Sequence, residues 1–142
     1  MNIPDEPVLH NVKQWLIHGD EDLRLATYAM TLQAAEPPYR LIAYHAQQCA
    51  EKYLKAFLVY CSVDFPYTHN ISILLELCND HADWPSELQE AEQLTLYSVT
   101  TRYPGEAEEV TEGEATQAIE IAQRVRNRVR SELKKLGVNL QE

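Results

Sequence analysis

Residues 44–57 read YHAQQCAEKYLKAF, and they decide the fold because their pattern is that of a helix inside a bundle. At about 100° per residue, one side of this helix collects small and apolar residues: Ala46, Cys49, Ala50, Tyr53, Leu54 and Phe57. The other side collects polar residues: Gln47, Gln48, Glu51, Lys52 and Lys55, with His45 at the boundary. Packing needs only the first side, so the polar residues beside it indicate where function should be sought.

The rest of the chain shows the same helical spacing of apolar residues, and prolines stand between the periodic segments because they cannot continue a helix. The pattern predicts helices at about 8–30, 39–61, 70–81, 86–102 and 114–136. No segment shows the alternation that is typical of a strand. We therefore expect a single all-α domain over residues 1–142, with its core at about 8–136. Its predicted architecture is an antiparallel up-and-down helical bundle of four main helices plus one short helix.

Several single residues make this prediction more specific. Gly19 keeps the phase of the apolar stripe in the first helix, so one continuous helix is expected there, with a kink at Gly19 as the alternative. Asn70 and Ser86 are suited to cap the N-termini of the third and fourth helices. Gly137 stands where the last helix should stop.

The charge balance limits the possible partners. The chain has 22 acidic and 12 basic residues, which gives a net charge of −10 at neutral pH. Because this field repels phosphate backbones, broad nucleic-acid binding is not expected. No apolar run approaches the roughly 18 residues that cross a bilayer, so no membrane contact is expected. The three cysteines are odd in number and form no CxxC pair, which favours a reducing, cytoplasmic location.

Three charged residues fall on or beside helix faces that should be apolar. Arg126 lies inside the apolar stripe of the last helix, Arg102 lies on the inward side of the fourth, and Asp22 borders the stripe of the first. A guanidinium in such a place must bind a carboxylate or reach water, because an unpaired buried charge costs several kcal/mol. One interpretation is an internal brace in which Asp22 or Glu51 pairs with one of the arginines. The alternatives are a polar pocket for a phosphate or nucleotide, and side chains that extend to solvent.

His45 and His69 each have a structural and a functional interpretation. His45 is either a boundary residue bonded to a neighbour or a ligand contact or acid/base group. His69 is either a turn residue before the short third helix or a residue that faces the same pocket. No His, Cys and carboxylate set has the spacing of a zinc site, and no glycine-rich phosphate loop is present. We therefore expect no metal and no cofactor.

Four short segments, taken in order, resemble the HEPN family, the higher-eukaryote and prokaryote nucleotide-binding domains. They are DEDLRLA at 20–26, the helix at 44–57, THN at 68–70 and TRYPG at 101–105. The resemblance implies a small all-helical module that binds a nucleotide or serves a protein partner. In prokaryotes that partner is often a minimal nucleotidyltransferase, sometimes in a two-gene toxin–antitoxin system. A homodimer is expected as well.

The resemblance also implies a polar groove with one wall formed by the helix at 44–57. Its ligand-binding residues would be Asp22, His45, Gln48, Lys52, His69 and Arg102. In this groove Lys52 and Arg102 would contact phosphate, and Gln48 would bond to a base or a sugar.

The first alternative is a metal-independent ribonuclease, because ribonucleases of this superfamily use an Arg and a His four to six residues apart. Arg40 and His45 have that spacing, but five residues turn a helix through about 140°, so their side chains diverge unless the helix begins between them. Arg102 is followed by no histidine at such a distance. The catalytic candidates are thus Arg40, His45 and Arg102, and intrinsic catalysis is not expected.

The second alternative is a structural dimerisation module whose interface uses three exposed aromatics, Tyr39, Tyr44 and Tyr60.

Overall fold

A computed structural model of the chain describes residues 3–98 and 109–141, which form helices and their connections. The helices are α1 (Glu6–Ala29), α2 (Tyr39–Tyr60), α3 (Ile71–Cys78), a 3₁₀ helix (Ser86–Tyr97) and α4 (Glu112–Lys135). No strand occurs in this part of the chain. The all-α bundle of four main helices and one short helix is therefore confirmed, with α3 as the short one.

Helix α2 is the central element of the bundle, since it packs against α1, α3, the 3₁₀ helix and α4. As predicted, its small and apolar side is buried, with Tyr53 and Phe57 completely enclosed. Its polar side is also covered, which the pattern of charges did not suggest, and Gln47 and Lys55 are both buried there. Polar groups in such a position must be bonded to each other, because water cannot reach them.

The fourth helix differs in type from the other long helices. It is a 3₁₀ helix over Ser86–Tyr97, and its N-cap position is Pro85 rather than the predicted Ser86. Its buried residues, Leu88, Ala91 and Leu94, are spaced by three. A 3₁₀ helix has three residues per turn, so this spacing aligns them on one face toward the core. The remainder of the predicted helix, including Arg102, lies outside the described residues.

The helix ends follow the signals in the sequence. The Asn70 side chain accepts a hydrogen bond from the Ser72 backbone N–H at 2.9 Å, as expected for the N-cap of α3. At the N-terminus of α4, Thr111 and Glu114 bond to each other's backbone N–H groups as a capping box. Gly137 follows α4 with a φ of 96°, a left-handed conformation that stops the helix at little cost for glycine.

The three cysteines are unpaired thiols. Cys49 and Cys78 are buried, and Cys61 is partly exposed. Burial raises the pKa of the Cys61 thiol to about 11 and that of Cys78 to about 12. Both groups are therefore protonated and weakly nucleophilic at neutral pH.

Gly19 is the point of closest approach between α1 and α2. Helix α1 runs through it without a break, which confirms the continuous first helix. A Cβ at this position would lie 2.8 Å from Cδ2 of Tyr53 and 3.4 Å from the carbonyl oxygen of Cys49. The Tyr53 ring is enclosed and its hydroxyl is bonded to Asp20, so it has no room to move away.

We expect Gly19→Ala to lower the free energy of unfolding by up to about 2 kcal/mol, measured by urea denaturation. Overpacking of a core costs about 1–3 kcal/mol, which exceeds the roughly 1 kcal/mol that alanine gains over glycine in a helix. Gly113→Ala is the matched control, because a Cβ there would meet only Oγ1 of Thr111 at 3.9 Å. Equal stabilisation by both substitutions would show that the helices do not depend on this contact.

Candidate functional site

Asp22 joins two cationic or titratable side chains of α2 to helix α1. Its Oδ1 lies 2.8 Å from Nδ1 of His45, and its Oδ2 accepts a hydrogen bond of 2.6 Å from Nζ of Lys52. His45 and Lys52 are seven residues apart, two helical turns, so they lie on one side of α2 and reach the same carboxylate. The His45 and Lys52 side chains remain 26% and 23% exposed, so solvent reaches this cluster.

Asp20 forms a second junction on the other edge of α1. The Tyr53 hydroxyl and Nε of Arg126 both donate to its Oδ1, so one carboxylate connects α1, α2 and α4. Burial raises the pKa of Tyr53, and the bond to Asp20 raises it further, so the phenol stays a donor. Although burial by itself lowers the pKa of Arg126, the hydrogen bond to Asp20 raises it, and the guanidinium keeps its charge.

A third polar cluster surrounds Glu51 inside the bundle. Its Oε1 accepts from Nε2 of Gln47 at 3.0 Å and lies 2.8 Å from Nδ1 of His69. Its Oε2 accepts from Nζ of Lys55 at 3.1 Å, and Gln48 donates to Oε1 of Gln47 at 2.7 Å. The Glu51 side chain is only 3% exposed and that of Lys55 only 7% exposed. The cluster is buried except at His69, whose side chain is 47% exposed, and it braces α2 against the segment before α3.

The predicted ligand-binding residues divide between these clusters. Asp22, His45 and Lys52 come together, whereas the buried Gln48 and the exposed His69 belong to the network around Glu51. Arg102 lies outside the described residues.

The predicted brace exists, but Arg126 pairs with Asp20 and not with Asp22 or Glu51. The reason is that Asp22 is bonded to His45 and Lys52, and Glu51 to Lys55 and His69. The sequence carried a signal for Asp20, since on a helical projection it borders the apolar stripe of α1 on the edge opposite to Asp22.

The spacing of Arg40 and His45 does not bring the two side chains to one place. Arg40 is exposed in the first turn of α2, while His45 turns toward Asp22 and packs its ring edge-on against Tyr44.

The aromatic residues proposed for a dimer interface are less exposed than the sequence suggested. Tyr60 is buried with its hydroxyl bonded to the Leu136 carbonyl, and Tyr39 and Tyr44 are only partly exposed.

A groove of about 470 Å³ lies between α1 and α4, and we call it the α1–α4 groove. Its lining residues are Asp20, Leu23, Arg24, Thr27, Tyr28, Gln123 and Arg126. Only Arg126 among them was a candidate from the sequence, because Arg24 and Tyr28 lie on the polar side of α1 and look like ordinary surface residues there.

Within residues 3–98 and 109–141, no group of three or more His, Cys, Asp or Glu side chains is arranged to hold a metal ion. In the same part of the chain, none of the helices combines the length and apolar character of a membrane span.

The helical bundle and its carboxylate-anchored clusters define a small α-helical module. The chain belongs to the HEPN family, since the model of the HEPN domain matches residues 12–133. The structure is similar to that of TT1696 from Thermus thermophilus, with 29% identity, a TM-score of 0.72, and coverage of 84% of this chain and 96% of that one. It is also similar to an archaeal HEPN homologue, with 30% identity, a TM-score of 0.68, and coverage of 85% and 96%. A comparison with curated proteins found no match.

Removal of the Glu51 charge should be far more destabilising than removal of a surface charge. We expect Glu51→Gln to lower the free energy of unfolding by about 3 kcal/mol or more, because Lys55 is then left buried without its anion. Glu90→Gln is the matched control, since Glu90 is 47% exposed and its bond to Arg124 is a surface ion pair. Such pairs contribute about 1 kcal/mol or less. Similar losses in urea denaturation for the two variants would contradict the brace.

Proposed function

We propose that this chain is a nucleotide-binding HEPN module that acts beside a minimal nucleotidyltransferase in a two-gene, toxin–antitoxin-like system. The proposal gives the module no catalysis of its own. The observation that carries it is the state of the motif histidine, His45, whose Nδ1 is bonded to Asp22 while the same carboxylate holds Lys52. The Asp22 carboxylate binds both side chains, so it holds His45 and Lys52 in fixed positions at the edge of α2.

The distribution of exposure supports binding over a purely structural role. The network around Glu51 is enclosed except at His69, whose side chain is 47% exposed, so its buried members Gln47, Glu51 and Lys55 brace the fold. The junctions at Asp20 and Asp22 are different, because His45, Lys52 and Arg126 each keep about a quarter of their side chains exposed, at 26%, 23% and 29%. Cations at the edge of a bundle and within reach of solvent are suited to anionic ligands. Gln48 and His69 would serve such a site indirectly, by holding α2 in place.

A homodimer is part of the proposal. Two large apolar side chains of α1, Ile17 and Leu25, are 48% and 54% exposed, and Leu32 just beyond the helix is 55% exposed. Apolar surface of this kind is commonly covered by a partner chain.

Light scattering on the purified protein should give twice the mass of one chain, and Leu25→Glu should shift the measured mass toward that of the monomer. A monomeric wild-type chain at micromolar concentration would contradict this part.

One observation favours the ribonuclease alternative. Asp22 beside Nδ1 of His45 can orient the ring and leave Nε2 for proton transfer, as in other catalytic sites that pair a carboxylate with a histidine. An arginine must also reach the scissile phosphate, and the exposed Arg40 lies a helical turn away.

We expect the purified chain to leave RNA intact, measured by gel electrophoresis of a labelled mixed-sequence RNA without added metal. Cleavage that disappears in His45→Ala would contradict a purely binding role. Cleavage that persists in His45→Ala would point to a contaminant.

Nucleotide binding should raise the thermal stability of the chain. At 100 times its dissociation constant, a ligand that binds only the folded state adds about 2.7 kcal/mol, so differential scanning with millimolar AMP or ATP should shift the midpoint upward by several degrees. No shift with any nucleotide would contradict the ligand class.

The partner is tested separately, by size-exclusion chromatography of the chain mixed with a minimal nucleotidyltransferase encoded beside it. A common peak is expected, and separate elution of the two proteins would contradict the partnership.

A further inference from the structure

Arg24 is a cation that lines the α1–α4 groove. It is exposed, and it makes no hydrogen bond or ion pair with the described residues. The cations around α2 differ from it, because Lys52 is bonded to Asp22, Lys55 to Glu51 and Arg126 to Asp20. An anion that binds Lys52 or Lys55 must compete with a carboxylate, whereas Arg24 displaces no carboxylate of the described residues.

Arg126 enters the same groove from the opposite helix. Its bond to Asp20 uses Nε, so the two terminal nitrogens of the guanidinium are not part of that bond. The position of the guanidinium is fixed by Asp20, which lowers the cost of ordering it around a ligand. The groove thus presents Arg24 from α1, which has no partner among the described residues, and Arg126 from α4, which Asp20 holds. Among the described residues that line the groove, Asp20 alone is acidic.

Tyr28 supplies an aromatic surface beside these cations. It lies four residues after Arg24, so the two side chains are neighbours on one face of α1. Its side chain is 66% exposed, which is unusual for a ring of this size and leaves it open to a planar partner. Thr27 and Gln123 also line the groove, and their hydroxyl and amide groups can bond to a sugar or to the edge of a base.

We propose that the α1–α4 groove binds a nucleoside monophosphate, with the phosphate between Arg24 and Arg126 and the base against Tyr28. This inference rests on the proposed function for the nucleotide class, and it locates the ligand outside the helix segment at 44–57. The cavity of about 470 Å³ lies in the range of small-ligand sites. The net charge of −10 opposes a polyanion, so a ligand with one phosphate fits this site better than a nucleic-acid backbone.

A second groove of about 450 Å³ provides the control. It lies between the 3₁₀ helix and α4, and Arg124 and Arg128 are among its lining residues. Both arginines already have carboxylate partners, Glu90 for Arg124 and Glu132 for Arg128. Its cations are therefore compensated, and we expect no nucleotide there.

The test is isothermal titration of the full chain with AMP and with adenosine. Arg24→Gln should weaken AMP binding by about 10-fold or more, the effect of losing one hydrogen bond to a charged group, and should leave adenosine binding unchanged. Tyr28→Ala should weaken both ligands, and Tyr28→Phe should restore them because stacking needs only the ring. Arg124→Gln removes the same charge from the second groove and should leave the affinity unchanged. Thermal melts without ligand should show that all four variants are folded.

The outcomes separate the groove from the proposed function. If the wild-type chain binds AMP and Arg24→Gln binds it equally well, the groove assignment is wrong and nucleotide binding stands. A loss in Arg124→Gln in place of Arg24→Gln would move the site to the second groove and also overturn the inference. If the wild-type chain binds no nucleotide, the inference and the ligand class of the proposed function both fail.

Discussion

Helix α2 is enclosed by the other helices, and its polar side chains therefore have to be bonded inside the protein. A buried donor or acceptor without a partner costs about 1–3 kcal/mol, and an isolated charge costs more. Glu51 meets this requirement for Gln47, Lys55 and His69 at once. Asp22 from α1 does the same for His45 and Lys52 at the edge of the helix. The arrangement of the bundle around α2 depends on these two carboxylates as much as on its apolar contacts.

This requirement changes the interpretation of the family motif. Residues 44–57 contain most of the polar chemistry of the chain, and in an exposed helix they would resemble an active site. In the structure, Gln47, Gln48, Glu51 and Lys55 are buried and bonded to one another or to adjacent segments. Their function is to fix α2, which in turn places Tyr53 to hold Asp20 and, through it, Arg126. The motif thus helps to hold Arg126 at the α1–α4 groove, where we propose that the ligand binds.

The helices, and much of the site, follow from local properties of the sequence. Periodicity and caps depend on residues close together in the chain, so the continuous α1, the Asn70 cap and the stop at Gly137 could be predicted. The 3₁₀ geometry of Ser86–Tyr97 was missed because residues spaced by three are nearly equivalent on an α-helix and a 3₁₀ helix.

Ion pairs between residues that are distant in the sequence were harder to predict than the helices, because they depend on how the helices pack. Arg126 and Asp20 are 106 positions apart, and the sequence offered Asp22 or Glu51 as the partner instead. Arg24 and Tyr28 could not be distinguished from other surface residues, because a groove is a property of two helices and α4 supplies its other wall.

The buried polar side chains around Glu51 fix α2, whereas the proposed ligand site is the α1–α4 groove. This division between scaffold and ligand site is the central claim. Two-dimensional amide NMR during a titration with AMP tests it most directly, since it reports every region of the chain at once. The account predicts that the largest shifts occur at Arg24, Tyr28 and Gln123, with small changes along the middle of α2. Shifts centred on His45 and Lys52, with the groove unaffected, would contradict it.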